Sequence, residues 1–138
     1  MILLICVDNR MGMTFNGRRQ SQDSILRERI VQLSSKSKLW MSHYSKSQFK
    51  DISASHINIS DNLIIDAEKA DFCFIENENT KGLEEYAEMI ILFKWNRAYP
   101  YDKQLDIDLT KWKCVQITEF EGSSHSKITE EVYLRNEK

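Results

Sequence analysis

The stretch ILLICV, residues 2–7, decides the fold class. It is short, continuous and rich in branched apolar side chains, the composition of a strand that is buried on both faces of a sheet. Polar residues follow at once, beginning with Asp8. We therefore predict that residues 2–7 form a central strand of a largely parallel sheet.

Strands and helices alternate along the chain after this stretch. Residues 24–33 place Leu26, Ile30 and Leu33 on one side of a surface helix. A short buried strand is predicted at residues 38–41, followed by a second helix. The later predicted elements are a brief helix at residues 63–69, a strand at residues 72–75, a helix that carries Leu83, Tyr86, Ala87 and Ile90 with Thr80 as its N-cap, and a strand from Met89 to Trp95.

The C-terminal part of the chain has a different pattern. Two β-rich segments, residues 112–120 and 127–135, flank a loop of residues 121–126 with the composition of a hairpin turn. Strands that alternate with helices and end in a hairpin indicate an α/β fold. We predict one domain, residues 1–138, with a mostly parallel central sheet, helices on both faces and a C-terminal antiparallel hairpin.

Composition and charge exclude several classes of protein. The chain has 138 residues, of which 41% are hydrophobic, and its formal net charge of −2 argues against a strongly basic nucleic-acid or membrane-surface binder. Its apolar start is too short for a membrane span or a signal-peptide core. Three cysteines cannot all pair and none forms a C-x-x-C motif, which favours a reducing compartment. We expect a soluble cytoplasmic protein without a membrane partner.

No metal motif is visible in the sequence. The three histidines, His43, His56 and His125, are isolated, and none belongs to an H-E-x-x-H pattern. The chain also lacks a P-loop and a G-x-S-x-G motif. We therefore predict no metal site.

Several segments together resemble the dihydrofolate reductase family. The first strand, the turn at residues 9–12 and an acidic residue, Asp23, before the first helix match the start of that family in order. Residues 38–49 resemble its second strand and the helix that follows, and residues 87–135 resemble its closing strands. The resemblance implies a dihydrofolate reductase-like fold over most of the chain.

The resemblance assigns a catalytic role to Asp23. In the family, the matching carboxylate lines an apolar pocket, anchors the pterin and helps to protonate it, and burial raises its pKa. The alternative is that Asp23 only caps the helix that follows, as an Asp before an apolar-periodic stretch often does. Both roles remain open at the level of sequence.

The same resemblance predicts further ligand-binding residues. Cys6 ends the first strand, and ligands of such sheets bind beyond the carboxyl ends of the strands. We place Phe15 and Ser45 at the same cleft. Arg18 and Arg19 follow in a loop that has the reach to bind an anionic ligand bidentately. The alternative for this arginine pair is a solvated surface loop.

The resemblance also implies an NADPH site, with His43 and Ser45 as its candidate residues. Three departures weaken this site. Glu76-Asn77 stands where the family has a glycine-rich pair, and a carboxylate there repels a diphosphate. Ser42-His43-Tyr44-Ser45 replaces the phosphate-binding Gly-Arg-x-Thr, and the segment between Phe49 and Phe72 is shorter than in the family. The cofactor is thus left unknown, with NADPH a doubtful candidate.

Three functions follow from these observations. The first is a divergent domain that binds a small heterocyclic or nucleotide-like ligand without NADPH-dependent reduction. The second is an NAD(P)H-dependent reductase of a pterin-like substrate, with Asp23 as the proton donor. The third is a protein-interaction module or inhibitor, which docks through the arginine loop and the aromatic residues Trp95, Tyr99 and Tyr101.

Overall fold

The predicted central strand is present, and the main sheet is built around it. The structure is a computed structural model that describes residues 1–136. The strands in chain order are β1 (Ile2–Val7), β2 (Gly12–Phe15), β3 (Arg18–Arg19), β4 (Leu39–Met41), β5 (Ile57–Ile59), β6 (Phe72–Ile75), β7 (Met89–Lys94), β8 (Lys103–Gln104), β9 (Trp112–Phe120) and β10 (Ile128–Arg135). The helices are α1 (Ser24–Leu33), α2 (His43–Lys46) and α3 (Leu63–Asp66), with 3₁₀ turns at Ser47–Phe49, Leu83–Tyr86 and Leu109–Lys111.

Within residues 1–136, the main sheet has seven strands in the order β5-β4-β6-β1-β7-β10-β9. Strand β1 pairs in parallel with both β6 and β7, and β4 pairs in parallel with β5 and β6. Strand β10 returns antiparallel to β7 and forms a hairpin with β9. The predicted α/β fold, mostly parallel with a C-terminal antiparallel hairpin, is therefore confirmed.

Both faces of the sheet are covered, which explains the unbroken apolar sequence of β1. Leu4 faces a cluster that contains Leu26 and Ile30 of α1 together with Phe49. Leu3 and Ile5 face the opposite cluster, to which α3 contributes Leu63. A strand between two covered faces needs apolar side chains at every position, not only at alternate ones.

The predicted helix at residues 83–90 is wrong. The chain forms only a 3₁₀ turn at Leu83–Tyr86, and Ile90 already lies in β7. The apolar run that begins at Met89 is compatible with a buried helix and with a buried strand. Pairing with β1 makes it a strand. Thr80 does not cap a helix; its hydroxyl accepts a hydrogen bond from the backbone N–H of Asp106, at 2.9 Å.

A small second sheet was not predicted, and it places the arginine pair. Its strand order is β3-β2-β8, and Thr14 pairs with Arg19 while Phe15 pairs with Arg18. Asn16 and Gly17 form the two-residue connection with φ of 52° and 72°. Two positive φ angles in an Asn-Gly pair are the signature of a tight β-hairpin turn. The arginines therefore belong to a hairpin rather than to an irregular loop.

Candidate functional site

The parallel strands bring their carboxyl ends to one edge of the sheet, where a cleft lies. Cys6 comes from β1, Glu76 follows β6, and Trp95 follows β7. Ser21 and Arg27 line the cleft from the segment that leads into α1 and from α1 itself. This is the edge at which sheets of this class bind ligands. Its remaining volume is only about 10 Å³, roughly the room of one water molecule.

An ion pair between Arg19 and Glu76 lines this cleft. The Arg19 guanidinium donates to both carboxylate oxygens of Glu76, with Nε 2.9 Å from Oε2 and Nη2 3.1 Å from Oε1. Gln48 Nε2 donates to Glu76 Oε2 at 2.8 Å. The guanidinium also lies 4.4 Å from the ring centroid of Tyr44. Bidentate and stacked arginines are held in one geometry, so β3 is fixed over the edge of the sheet.

Cys6 lines the cleft as the sequence predicted. Burial raises the pKa of its thiol well above the usual value, and the charge of Glu76 raises it further. A thiol with a raised pKa stays protonated and is a poor nucleophile at neutral pH. Cys6 is therefore a neutral wall of the cleft.

A second opening lies on the outer side of the β2–β3 hairpin, and we call it the outer groove. Its lining includes Phe15, Arg18, Arg19, Tyr99 and Pro100, and its volume is about 460 Å³. Phe15 is 42% exposed, and Arg18 is exposed. Within residues 1–136, Arg18 forms no salt bridge. Three predicted ligand-binding residues thus share one groove, and Arg19 belongs to both the groove and the cleft.

Asp23 caps α1, the alternative that the sequence left open. Its Oδ1 accepts from the N–H groups of Ile25 and Leu26 at 3.0 and 3.2 Å. The hairpin loop between β9 and β10 adds the N–H groups of Ser123 and Ser124, at 2.9 and 2.8 Å. Burial opposes the charge, but these donors outweigh it and hold the pKa of Asp23 well below its usual value. The pKa shift is thus opposite to the upward shift that the resemblance implied.

Asp23 does not line the cleft, and its side chain is fully buried. Both carboxylate oxygens are already occupied by donors of the protein. As folded here, Asp23 has no free acceptor to offer a ligand, so the predicted catalytic and anchoring role has no geometric support.

His125 joins Asp23 to the mouth of the cleft. Its Nδ1 lies 3.1 Å from Asp23 Oδ2, and its Nε2 lies 3.2 Å from Ser21 Oγ and 2.9 Å from the Tyr99 hydroxyl. The ring is stacked on Trp95, with centroids 4.4 Å apart. In the sequence His125 looked isolated, because its partner Asp23 is 102 residues away. Only the length of the hairpin loop hints that it reaches α1.

The two predicted cofactor residues lie elsewhere. His43 is exposed, and its Nδ1 lies 2.8 Å from Asp61 Oδ2. Ser45 is fully buried in α2, where its N–H donates to the Ser42 hydroxyl. Ser45 lines neither the cleft nor the outer groove, so the structure does not bring these residues together with Cys6 and Phe15. The reason is that the Ser42 cap turns the Ser45 side chain into the protein.

Of the three aromatic residues of the predicted docking face, Trp95 is buried, and Tyr101, like Tyr99, is half-buried. Trp95 is 3% exposed and stacks on His125. Among residues 1–136 no group of three or more His, Cys, Asp or Glu side chains is arranged to hold a metal ion. No helix in this same range is long and apolar enough to cross a membrane.

The fold defines a class: a dihydrofolate reductase-like domain. A solved structure of a dihydrofolate reductase from Enterococcus faecalis, in complex with NADP(H) and RAB-propyl, is similar to it with a TM-score of 0.73. The similarity covers 99% of this chain and 96% of that one, at 10% sequence identity. No protein-family model and no curated protein matches the chain. The resemblance seen in the sequence is thereby confirmed as a resemblance of fold.

Proposed function

We propose that this domain binds a small planar anion, a nucleotide-like or related heterocyclic ligand, in the outer groove and does not perform NADPH-dependent reduction. The observation that carries the proposal is the combination of an exposed aromatic ring, Phe15, and an exposed guanidinium, Arg18, in a groove of about 460 Å³. Ligand pockets for small molecules commonly fall between about 300 and 1,000 Å³.

The chemistry of the groove suits such a ligand. The ring of Phe15 offers a face for stacking, and Tyr99, in the segment between β7 and β8, adds a second aromatic side chain. A guanidinium binds phosphate or carboxylate bidentately. Since no carboxylate among residues 1–136 forms a salt bridge with Arg18, an anion at this position gains charge pairing at little cost.

NADPH does not fit the residues of the cleft at the carboxyl ends of the strands. The Glu76 carboxylate, 8% exposed, occupies the position where the chain would have to approach a diphosphate. Like charges in a partly buried site repel each other strongly. Arg19 neutralises Glu76 internally and leaves about 10 Å³ of free volume. These features support a degraded NADPH site, and we derive no reaction step through that cofactor.

A thermal-shift series tests the proposal directly. We expect mononucleotides or pterins to stabilise the protein, by about 2.7 kcal/mol at a hundredfold excess over the dissociation constant. Arg18→Ala should remove this stabilisation without lowering the stability of the free protein. Lys36→Ala removes one positive charge from an exposed position away from the groove, and it is the matched control. Equal ligand shifts in both variants would contradict the proposal.

The other two functions remain outcomes of the same experiments. Oxidation of NADPH in the presence of dihydrofolate, followed by nicotinamide absorbance, would favour the reductase. Absence of every ligand shift, together with capture of one specific partner, would favour an interaction module. The three cysteines are free, which is compatible with the cytoplasmic location that we propose.

A further inference from the structure

We propose that Ser21, His125 and Asp23 form a catalytic triad that hydrolyses small acyl esters at the mouth of the cleft. This activity goes beyond ligand binding in the outer groove and depends on other side chains, although Tyr99 borders both sites. The distances are those of a nucleophile, a base and an orienting carboxylate: 3.2 Å from Ser21 Oγ to His125 Nε2, and 3.1 Å from His125 Nδ1 to Asp23 Oδ2.

The tautomer of His125 follows from the state of Asp23. An ionised carboxylate can only accept hydrogen bonds, so the hydrogen of the neutral imidazole lies on Nδ1, facing Asp23 Oδ2. The lone pair of Nε2 then faces Ser21. This is the orientation in which an imidazole accepts the proton of a serine hydroxyl.

The base is held rigidly. His125 is 2% exposed, and its ring is stacked on Trp95. Asp23 is fixed by the N–H groups of Ser123 and Ser124, which directly precede His125 in the same hairpin loop. A base whose orientation is fixed before the substrate arrives loses no ordering entropy in the reaction.

Ser21 is the accessible member of the triad. It is half-buried and lines the cleft, whereas His125 and Asp23 lie behind it. The cleft itself has room for about one water molecule, so the ester must reach Ser21 from the mouth of the cleft. Arg27 lines the same cleft and brings a positive charge to it, with Nη1 donating to Gln22 Oε1 at 3.0 Å.

Tyr99 competes with Ser21 for the base. Its hydroxyl lies 2.9 Å from His125 Nε2, closer than Ser21 Oγ. When Tyr99 donates to this nitrogen, Ser21 is not activated. The triad therefore works below its capacity, and removal of the Tyr99 hydroxyl should increase the reactivity of Ser21.

The reaction balances with water as the only co-reactant. Ser21 Oγ attacks the ester carbonyl while His125 Nε2 takes its proton, and a bond from oxygen to carbon forms. The C–O bond to the leaving alcohol breaks, and the alcohol takes the proton from His125. Water then attacks the acyl-serine with help from His125 and releases the carboxylic acid and free Ser21.

Labelling with a fluorophosphonate probe tests the triad on the whole protein. The Ser21 oxygen displaces fluoride from phosphorus, and peptide mass spectrometry locates the label. We expect one label per chain at Ser21, none at that peptide in Ser21→Ala, and unchanged labelling in Ser35→Ala, a control at an exposed serine. A label at another serine, or equal labelling in Ser21→Ala, would overturn the proposal.

Two further variants test the base. His125→Gln should slow labelling at least about 100-fold, the usual contribution of a general base. Tyr99→Phe should accelerate labelling several-fold and accelerate turnover of p-nitrophenyl acetate equally. If His125→Gln does not fold, Ser21→Ala and Tyr99→Phe still decide, and an unchanged or slower rate in Tyr99→Phe contradicts the proposal. Loss of nucleotide binding in Arg18→Ala, with labelling retained, would separate this activity from the proposed function.

Discussion

Two carboxylates are buried near the carboxyl edge of the sheet, Glu76 in the cleft and Asp23 behind Ser21 and His125, and the protein holds them in opposite ways. Asp23 is surrounded by four backbone N–H groups and an imidazole, all from α1 and the β9–β10 loop. Glu76 depends on two long side chains, Arg19 and Gln48. Backbone donors cannot move away without unfolding a segment, whereas side chains can rotate. Asp23 is therefore held by the backbone of the fold, and Glu76 is held by side chains alone.

The largest expected effect is that of Asp23→Asn. The amide brings two hydrogens into a site built of donors, so the N–H of Ser124 and Nδ1–H of His125 lose their acceptor. The remaining Oδ1 oxygen keeps the helix cap, but the buried donors left unsatisfied at the Oδ2 position should lower the free energy of unfolding by about 3 kcal/mol. Urea unfolding measures this value, and Asp51→Asn at an exposed position is the control. A stable Asp23→Asn protein that has lost only ligand binding would restore the role implied by the resemblance.

Lowering the pH should remove part of the stabilisation that the Asp23 carboxylate gives to the folded protein. The pKa of Asp23 is lowered in the folded state, so the unfolded chain takes up the proton first as the pH falls. The stabilisation is complete above the unfolded pKa, about 3.9, and is lost as the pH falls below it. Wild type should therefore lose stability below about pH 4 more steeply than Asp23→Asn. Parallel curves for the two proteins would mean that the Asp23 carboxylate is not the group that titrates.

Glu76→Gln should have a smaller effect on stability. The variant leaves the Arg19 guanidinium without its charge partner, but that side chain is 18% exposed and can turn to water. We expect a loss of about 1 to 2 kcal/mol, reduced by solvent screening. Glu85→Gln at an exposed position is the control.

The sharper readout of Glu76→Gln is the reactivity of Cys6. Burial and the charge of Glu76 both raise the pKa of this thiol. Opening the cleft removes part of both causes, so a disulfide reagent should modify Cys6 faster in the variant. The measurement uses a Cys114→Ser background, because Cys114 is exposed and would react first. An unchanged rate would show that the Arg19 contact does not close the cleft.

The same contrast explains what the sequence could predict. The strand at residues 2–7 and helix α1 follow from patterns within a few residues, and both were found. The cap by Asp23 was also readable as an alternative, because a cap is local. The hairpin that carries Arg18 and Arg19 also has a local signal, the Asn16-Gly17 pair typical of a two-residue turn.

What the sequence could not predict are the contacts between distant segments. Arg19 and Glu76 are 57 residues apart, and Asp23 and His125 are 102 residues apart. No periodicity or motif links such pairs. The family resemblance placed Asp23 in a ligand pocket, and nothing in the sequence indicated that the β9–β10 loop would supply donors that bury this carboxylate.

The smallest expected effect concerns the hairpin that separates the cleft from the outer groove. Gly17 has φ of 72° and Gly82 has φ of 89°, so an alanine at either position is strained in the same way. Each substitution should lower the free energy of unfolding by about 1 kcal/mol. Only Gly17→Ala disturbs the turn that places Arg18 and Arg19, so only this variant should weaken nucleotide binding and speed the modification of Cys6. Equal effects of Gly17→Ala and Gly82→Ala on both readouts would mean that the hairpin geometry controls neither opening.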